Sequence, residues 1–178
     1  MVKSVGVFCG SKEGTNPKYV SDATALGNFL GANNITLIYG GGNKGIMGAL
    51  ANGAIANNGK VIGVIPQLLL SWEAAHNGLY KLDIVENMHV RKTQIYELSE
   101  VIIILPGGFG TFDEMFEAIT WNNLKIHQKK IYILNTDGYY NSLITFMQHT
   151  INEGFAYYSL EETVEIFNTN EKLFEALC

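Results

Sequence analysis

The stretch "VIIILPGGFGTFDEMFEAITW" (residues 101–121) joins a continuous apolar run to a segment with helical periodicity through a glycine-rich turn. Uninterrupted Val and Ile are typical of a strand that is covered by helices on both faces, as in a parallel sheet. Small residues between a strand and a helix leave backbone N–H groups open to an anion. The stretch therefore predicts a strand–turn–helix unit of an α/β protein, with a phosphate-binding turn at 107–111.

The same alternation of apolar runs and helical patterns continues along the whole chain. The other predicted strands lie at 4–9, 35–39, 60–65, 82–86, 130–135 and 163–167, and the predicted helices at 17–32, 45–58, 88–99, 112–124, 139–153 and 170–177. Such alternation favours a Rossmann-like, doubly wound α/β sheet of about six or seven mainly parallel strands with helices on both faces. At 178 residues, we expect one nucleotide-binding α/β domain that spans residues 1–178.

Three glycine-rich loops follow predicted strands. They read "CGSKEGTNP" after the first strand, "YGGGNKGIMG" after the second and "PGGFGT" after the fifth. The carboxyl ends of parallel strands share one edge of the sheet, and ligands of α/β proteins bind there. Three such loops at one edge predict a phosphorylated ligand.

The sequence fits two common classes of phosphate-binding protein poorly. Gly40, Gly42 and Gly45 match the spacing G-x-G-x-x-G of dinucleotide-binding proteins, but they follow the second strand instead of the first. Residues 46–72 also contain no Asp or Glu to hold a ribose. The Walker A pattern of P-loop nucleotidases is missing as well. An NAD(P) enzyme and an ordinary P-loop nucleotidase are therefore disfavoured.

Composition disfavours several further classes of function. The four histidines are scattered and there is no H-E-x-x-H pattern, so we expect no metal, and no lysine stands out as a site for pyridoxal phosphate. A net charge of −5 argues against nucleic-acid binding. No apolar run approaches a bilayer span, and the only cysteines, Cys9 and Cys178, lie at opposite ends of the chain. We expect a cytoplasmic protein without a secretion signal, a disulfide framework or a membrane partner.

The remaining chemistry is a carboxylate and an arginine. Arg91 is the only arginine among twelve basic residues, and its planar fork suits carboxylate or phosphate oxygens. Helical spacing places Arg91, Ile95 and Leu98 on one inward stripe. For Glu114 two interpretations stay open. It either serves a site or closes a T-x-x-E capping box with Thr111 as the N-cap residue. We assign four apolar residues of the same helix to the core, namely Phe112, Met115, Phe116 and Ile119.

The combination of "PGGFGTFDE" with "MHVRK" and "YGGGNKGIMG" resembles the LOG (LONELY GUY) family of cytokinin riboside 5′-monophosphate phosphoribohydrolases, whose members are often labelled lysine decarboxylases. The resemblance covers nearly the whole chain. It implies hydrolysis of the N-glycosidic bond of cytokinin riboside 5′-monophosphates or AMP, with release of an adenine-type base and ribose 5-phosphate. It also implies a homodimer and no cofactor. The alternative is a non-catalytic nucleotide- or cofactor-binding carrier or sensor of the same fold, like the molybdenum-cofactor carrier proteins.

The resemblance also implies which residues form the site. Arg91 and Glu114 would be catalytic. The residues that would bind the substrate or its phosphate are Gly10, Ser11, Gly41, Gly42, Glu73, Lys92, Gly107, Gly108, Phe109, Gly110, Thr111 and Thr120. The family commonly has Tyr at the position of Phe109 and Glu or Gln at that of Val90, and these differences bear on substrate preference.

Glycosidic cleavage develops positive charge on the sugar. We expect Glu114 to stabilise that charge or to activate water, and Arg91 to orient Glu114 through a bidentate contact and to keep it ionised. The 5′-phosphate would bind the backbone N–H groups of 107–111. Asp113 has no assigned role, and we interpret it as a solvated carboxylate.

Overall fold

The computed structural model of the protein describes residues 2–71 and 75–178, and in these ranges seven strands form one parallel sheet. The spatial order of the strands is β4-β3-β2-β1-β5-β6-β7. Their bounds are Ser4–Phe8 (β1), Thr36–Tyr39 (β2), Val61–Pro66 (β3), Lys81–Val85 (β4), Val101–Ile104 (β5), Lys130–Leu134 (β6) and Glu165–Phe167 (β7). Every pairing in this sheet is parallel, which confirms the predicted doubly wound α/β class.

Helices connect the strands. The α-helices are Lys18–Ala32 (α1), Gly45–Ala56 (α2), Met88–Leu98 (α3), Phe109–Asn123 (α4), Asn141–Asn152 (α5), Leu160–Thr163 (α6) and Asn170–Leu177 (α7). Two short 3₁₀ segments, Gln67–Ser71 and Thr136–Gly138, follow β3 and β6. The predicted positions hold to within a few residues, except that α4 begins three residues before the expected residue 112. Over the described ranges, no helix combines the length and apolar character that crossing a membrane requires.

The sheet has a separate apolar core on each face. Alternate residues of one strand enter different cores: Ile103 of β5 packs with α1, α2 and α7, whereas Ile102 and Ile104 pack with α3, α4 and α5. Successive side chains of a strand point to opposite faces, so a strand covered on both sides must be apolar at every position. This is why the run "VIII" has no polar residue.

The strand order places a topological switch point at the centre of the sheet. The chain runs outward from β1 to β4 and then returns to pair β5 with the other side of β1. The connections leaving β1 and β5 therefore diverge to opposite halves of the molecule and leave a crevice between them, which is where α/β sheets bind ligands.

Candidate active site

A cavity of about 640 Å³ lies at the carboxyl edge of the sheet, beside the switch point. Its walls come mainly from the ends of β1, β2 and β5, from the first turn of α3 and from the first two turns of α4. The residues that line it include Cys9, Gly10, Ser11, Lys12, Tyr19, Gly40, Met47, Leu69, Met88, Arg91, Pro106, Gly107, Gly108, Phe109, Gly110, Thr111, Glu114 and Tyr139. The three glycine-rich loops thus all contribute to one cavity.

The turn between β5 and α4 ends in an open helix N-terminus. Gly108 is the N-cap residue, and the first helical bond runs from the Phe112 N–H to the Gly108 carbonyl at 3.1 Å. The N–H groups of residues 109–111 precede that bond, so they have no acceptor inside the helix. They offer donors, together with the positive end of the helix dipole, to an anion in the cavity.

The position of this N-terminus corrects the capping-box interpretation. Thr111 lies inside α4 as its third residue and makes no cap hydrogen bond. Consequently Asp113 and Glu114 fall beyond the first turn instead of at its start. Gly108 has the extended backbone of an N-cap residue, so the helix begins three residues earlier than the local Thr-x-x-Glu pattern indicates.

The three glycines of this turn differ in what an added side chain would meet. A Cβ on Gly107 would collide with the side chain of Thr111. A Cβ on Gly108 or Gly110 would meet no atom within 4 Å, and neither residue has a positive φ. The fold itself therefore does not require glycine at 108 and 110. Open space beside both positions suits the close approach of a ligand to the backbone.

Arg91 is buried and is held by one backbone carbonyl within β3 and one directly after β2. Its Nε donates to the Val64 carbonyl at 3.1 Å, and its Nη2 donates to the Gly40 carbonyl at 3.1 Å. Its Nη1 contacts only the Met88 sulfur, at 3.8 Å, among the described residues. The buried stripe of α3 confirms the inward placement of Arg91 and Ile95 but not of Leu98, which is 40% exposed.

Glu114 is buried at the wall of the same cavity. Burial raises the pKa of its carboxyl to about 7, against the lowering effects of Arg91 and Lys92, while Asp113 and Glu117 raise it further. Tyr96 donates from its hydroxyl to the Glu114 carbonyl at 2.7 Å and so fixes the backbone of this residue. A carboxyl with a pKa near neutrality exchanges protons readily at physiological pH, as a general acid or base must.

Arg91 and Glu114 do not form the expected bidentate pair: no ion pair joins these two described residues. Arg91 lowers the pKa of Glu114, but desolvation by burial outweighs it, so the arginine does not hold the carboxyl fully ionised at neutral pH. The guanidinium has its strongest geometric partners in the Gly40 and Val64 carbonyls instead.

Lys92 explains the carboxylate that the sequence left without a role. Its Nζ lies 3.0 Å from Asp113 and 3.0 Å from Glu117, and these ion pairs join α3 to α4. Burial lowers the pKa of Lys92, but the bonds to Glu117 and Asp113 more than offset it, so the pKa is raised overall. Asp113 is therefore a partner of Lys92 and not simply a solvated charge.

The structure brings together most, but not all, of the expected site residues. Those that line the cavity are Arg91, Glu114, Gly10, Ser11 and the whole turn 107–111. Four do not line it, namely Gly41, Gly42, Lys92 and Thr120; the Thr120 hydroxyl donates to the Phe116 carbonyl at 2.7 Å. Glu73 lies outside the described residues.

Sequence reasoning missed the aromatic and sulfur-containing wall of the cavity. Tyr19 and Tyr139 meet edge to face at 5.4 Å between ring centroids, and Met47 and Met88 line the cavity with them. Tyr139 follows β6, so its place at the same sheet edge was the available signal. The apolar core assignment was also wrong for Phe116, which is 39% exposed.

The sequence is similar to one family of known proteins along most of its length. Residues 47–177 match the family model described as "Possible lysine decarboxylase". A cytokinin riboside 5′-monophosphate phosphoribohydrolase of Rhodococcoides fascians is 44% identical over 86% of this chain and 78% of its own length. The enzyme LOG3 of Arabidopsis thaliana, which has the same descriptive name, is 40% identical over 98% of this chain and 81% of its own length.

Solved structures share the fold at lower sequence identity. A molybdenum cofactor binding protein of Rippkaea orientalis superposes with a TM-score of 0.74 at 22% identity, covering 99% of this chain and 96% of that chain. The molybdenum cofactor carrier protein of Chlamydomonas reinhardtii gives 0.75 at 19% identity, with the same coverage. These likenesses concern the arrangement of the sheet and its helices.

Proposed function

The chain belongs to the LOG family of cytokinin riboside 5′-monophosphate phosphoribohydrolases, and from this we propose that it hydrolyses the N-glycosidic bond of an adenine-type nucleoside 5′-monophosphate. The products are the free base and ribose 5-phosphate. The substrates that the family names indicate are cytokinin riboside 5′-monophosphates, with AMP as the unprenylated member of the same class. The observation that carries the proposal is the buried Glu114 carboxyl facing the cavity that the α4 N-terminus also faces.

The 5′-phosphate binds at the open N-terminus of α4. The N–H groups of residues 109–111 supply donors, and the space beside Gly108 and Gly110 lets the phosphate oxygens approach the backbone. Gly10 and Ser11 face the same space from the end of β1. This position of the phosphate directs the ribose toward the second turn of α4, where Glu114 lies.

Glu114 acts in its carboxylate form. As the bond between C1′ and the base nitrogen breaks, the sugar gains positive charge, which the carboxylate stabilises. The carboxylate also accepts a proton from the attacking water, whose oxygen bonds to C1′. That proton then passes to the departing base nitrogen, which restores the carboxylate. The buried site strengthens this electrostatic interaction because little water screens it.

Arg91 binds the substrate with the part of its fork that the protein leaves open. Nε and Nη2 are engaged by backbone carbonyls, so Nη1 is the nitrogen directed to ribose hydroxyls. The Val64 and Gly40 carbonyls are backbone groups, so they hold the guanidinium in a fixed position. In this assignment neither Arg91 nor Glu114 requires a metal or a redox cofactor.

Lys92, Thr120, Gly41, Gly42 and Glu73 stay assigned to substrate binding by family resemblance alone. The ion pairs of Lys92 with Asp113 and Glu117 indicate a structural role, in which Lys92 holds α3 against α4. That role keeps Arg91, its neighbour on α3, opposite Glu114 on α4.

A homodimer is part of the proposal, and an apolar surface supports it. The exposed apolar residues of α3 and α4 are Met88, Val90, Leu98, Phe109 and Phe116, of which Met88 and Phe109 also line the cavity. Exposed apolar side chains on neighbouring elements mark interaction surfaces. We also place the protein in the cytoplasm, consistent with two cysteines that are both free, and without a nucleic-acid partner, consistent with its negative charge.

The proposed activity is tested by incubating the protein with AMP and with isopentenyladenosine 5′-monophosphate and separating free base by chromatography. We expect base release, and a loss of about 10²–10⁴-fold in kcat for Glu114→Gln. Tight AMP binding without base release would instead favour a non-catalytic carrier. Wild-type rates in Glu114→Gln would remove the role assigned to this residue.

A further inference from the structure

Two consecutive tyrosines bind the backbone of the β5–α4 turn. The Tyr139 hydroxyl donates to the Gly107 carbonyl at 2.5 Å, and the Tyr140 hydroxyl donates to the Leu105 carbonyl at 2.7 Å. Both tyrosines come from the segment after β6, more than thirty residues away in the chain. Tyr140 is fully buried, whereas Tyr139 also lines the cavity.

The carbonyl between these two is held as well. The Gly10 N–H donates to the Pro106 carbonyl at 3.0 Å. Three successive carbonyls, 105–107, therefore have donors from other elements of the fold. Apart from the Leu105 N–H, which donates to the Phe8 carbonyl at 3.0 Å, the contacts that fix the path of the turn use its acceptors, and they leave the N–H groups of residues 107–111 for a ligand.

The Tyr139 contact controls the peptide that is easiest to rotate. The peptide between Gly107 and Gly108 has no Cβ on either side, so steric barriers to its rotation are small. In a trans peptide the N–H points opposite to the carbonyl. Because Tyr139 holds the Gly107 carbonyl, the orientation of the Gly108 N–H is fixed as well. If this peptide rotated by half a turn, a carbonyl oxygen would take the place of that donor.

The segment that presents the tyrosines is itself held firmly. Asp137 has a left-handed φ of 49°, which is unfavourable for a residue with a side chain. Its carboxylate accepts from Lys18 at 2.6 Å and from Asn16 at 2.8 Å. The Asn135 side chain accepts from the Tyr140 N–H at 2.7 Å. The two bonds to Asp137 tie the segment to the start of α1, and the Asn135 bond holds the segment's own backbone.

We propose that Tyr139 is a positioning residue for phosphate binding: its hydroxyl holds the Gly107–Gly108 peptide so that donors, and no carbonyl, face the 5′-phosphate. Tyr140 secures the Leu105 carbonyl and so fixes the end of β5. This inference rests on the proposed function, because it takes the 5′-phosphate to bind at residues 107–111. The ligand class concerned is any sugar 5-phosphate, whatever its base.

The test is Tyr139→Phe, which removes only the hydroxyl. Tyr158→Phe is the matched control, because Tyr158 is 39% exposed against 37% for Tyr139 and does not line the cavity. We would measure by calorimetry the Kd of ribose 5-phosphate and the Kd of adenine, which has no phosphate. Loss of one positioning hydrogen bond should weaken ribose 5-phosphate about three- to tenfold and leave adenine within twofold.

Kinetics and hydrogen exchange give two further readouts. For AMP we expect KM to rise about three- to tenfold with kcat nearly unchanged, since the contact acts on ground-state binding. Amide exchange in a peptide covering residues 106–111 should become faster in Tyr139→Phe and stay unchanged in Tyr158→Phe. An unchanged Kd for ribose 5-phosphate, or an equal loss for adenine, would overturn the positioning role.

The result also separates this inference from the proposed activity. If the wild-type protein binds ribose 5-phosphate but cleaves no nucleotide, the activity is wrong and the calorimetric comparison still decides the role of Tyr139. If the wild-type protein does not bind ribose 5-phosphate, the positioning role is overturned whatever the activity proves to be.

Discussion

Arg91 and Glu114 line one cavity but are not paired with each other: the arginine donates to the Gly40 and Val64 carbonyls, and the glutamate carboxyl lies near it with a pKa of about 7. Separate parts of the fold thus place the two charges: carbonyls of β3 and of the residue after β2 hold Arg91, and α4 holds Glu114. A direct pair would leave both groups less free to meet a substrate. Because they are separate, the Glu114 carboxyl can still change its protonation state, and the Arg91 guanidinium keeps Nη1 for a ligand.

The pH dependence of hydrolysis should report on Glu114. Because its raised pKa of about 7 leaves it largely protonated at pH 6, and the carboxylate is the active form, kcat/KM should rise through that region and level above pH 8. The residual activity of Glu114→Gln should lack this rise. Ionisation of the substrate phosphate, with a pKa of about 6, is common to both proteins and serves as the internal reference. A rate that falls from pH 6 to pH 8 would indicate that the protonated acid is the active form.

The same carboxyl should make the folded protein less stable at alkaline pH. A carboxyl whose pKa rises from 4.5 unfolded to about 7 folded contributes stability below pH 4.5 and loses that contribution as pH rises through 7. When the pH is raised from 4.5 to 8, the wild type should therefore lose up to about 3 kcal/mol in the free energy of unfolding relative to Glu114→Gln. Urea unfolding at both pH values measures this.

The control for that measurement is Glu97→Gln, a substitution at an exposed glutamate of α3. It should differ from the wild type by a similar amount at both pH values. A Glu114→Gln protein that also keeps a constant difference from the wild type would show that burial of this carboxyl is not costly.

Arg91→Lys should lose activity although the charge remains. A single ammonium group cannot donate to both the Val64 and Gly40 carbonyls in the fork geometry, and a lost charged hydrogen bond corresponds to about 10–100-fold in rate. Gly40→Ala should have a similar effect with the arginine intact, because its Cβ would overlap Nη2. Gly78→Ala is the control, since its Cβ would meet the His76 ring at 3.1 Å and the Ile55 side chain at 3.5 Å but would not meet Arg91. Wild-type kcat/KM in both Arg91→Lys and Gly40→Ala would remove the geometric requirement.

Gly110→Ala should separate folding from binding. Its Cβ would meet no protein atom, and alanine in the first turn of α4 favours the helix by up to about 1 kcal/mol, so the melting temperature should hold or rise. The Kd of AMP should nevertheless weaken by about tenfold or more, because the added methyl group lies beside the expected phosphate. By contrast, Gly107→Ala should destabilise the fold through its collision with Thr111. Unchanged AMP binding by Gly110→Ala would place the phosphate elsewhere.

The proposed dimer should depend on the exposed side of α4. Phe116→Asp places a charge on that surface and should shift the protein from dimer to monomer in sedimentation equilibrium. Tyr157→Asp, at a residue that is 91% exposed outside α3 and α4, should leave the association state unchanged. A wild-type protein that sediments as a monomer at all concentrations tested would exclude the dimer.

Several features of the fold could be predicted because they depend on short-range patterns. The run "VIII" is typical of a strand covered on both faces, and the alternation of such runs with helical periodicity predicts the parallel sheet. The inward placement of Arg91 also followed from helical spacing. Local patterns failed where two of them predicted different structures. At the start of α4 the capping-box pattern predicts Thr111 as the N-cap residue, whereas the helix begins directly after Gly108 of the glycine turn.

By itself, the amino-acid sequence determined the fold class, the edge of the sheet at which the glycine loops meet and the two candidate charged residues, because periodicity and turn chemistry act over a few residues. Only the tertiary structure decided what those residues touch. Arg91 meets Gly40 across 51 positions, Lys92 meets Asp113 across 21, and Tyr139 meets Gly107 across 32. Such contacts, and the burial that raises the pKa of Glu114, depend on which elements the folded sheet brings together, and no local pattern records that.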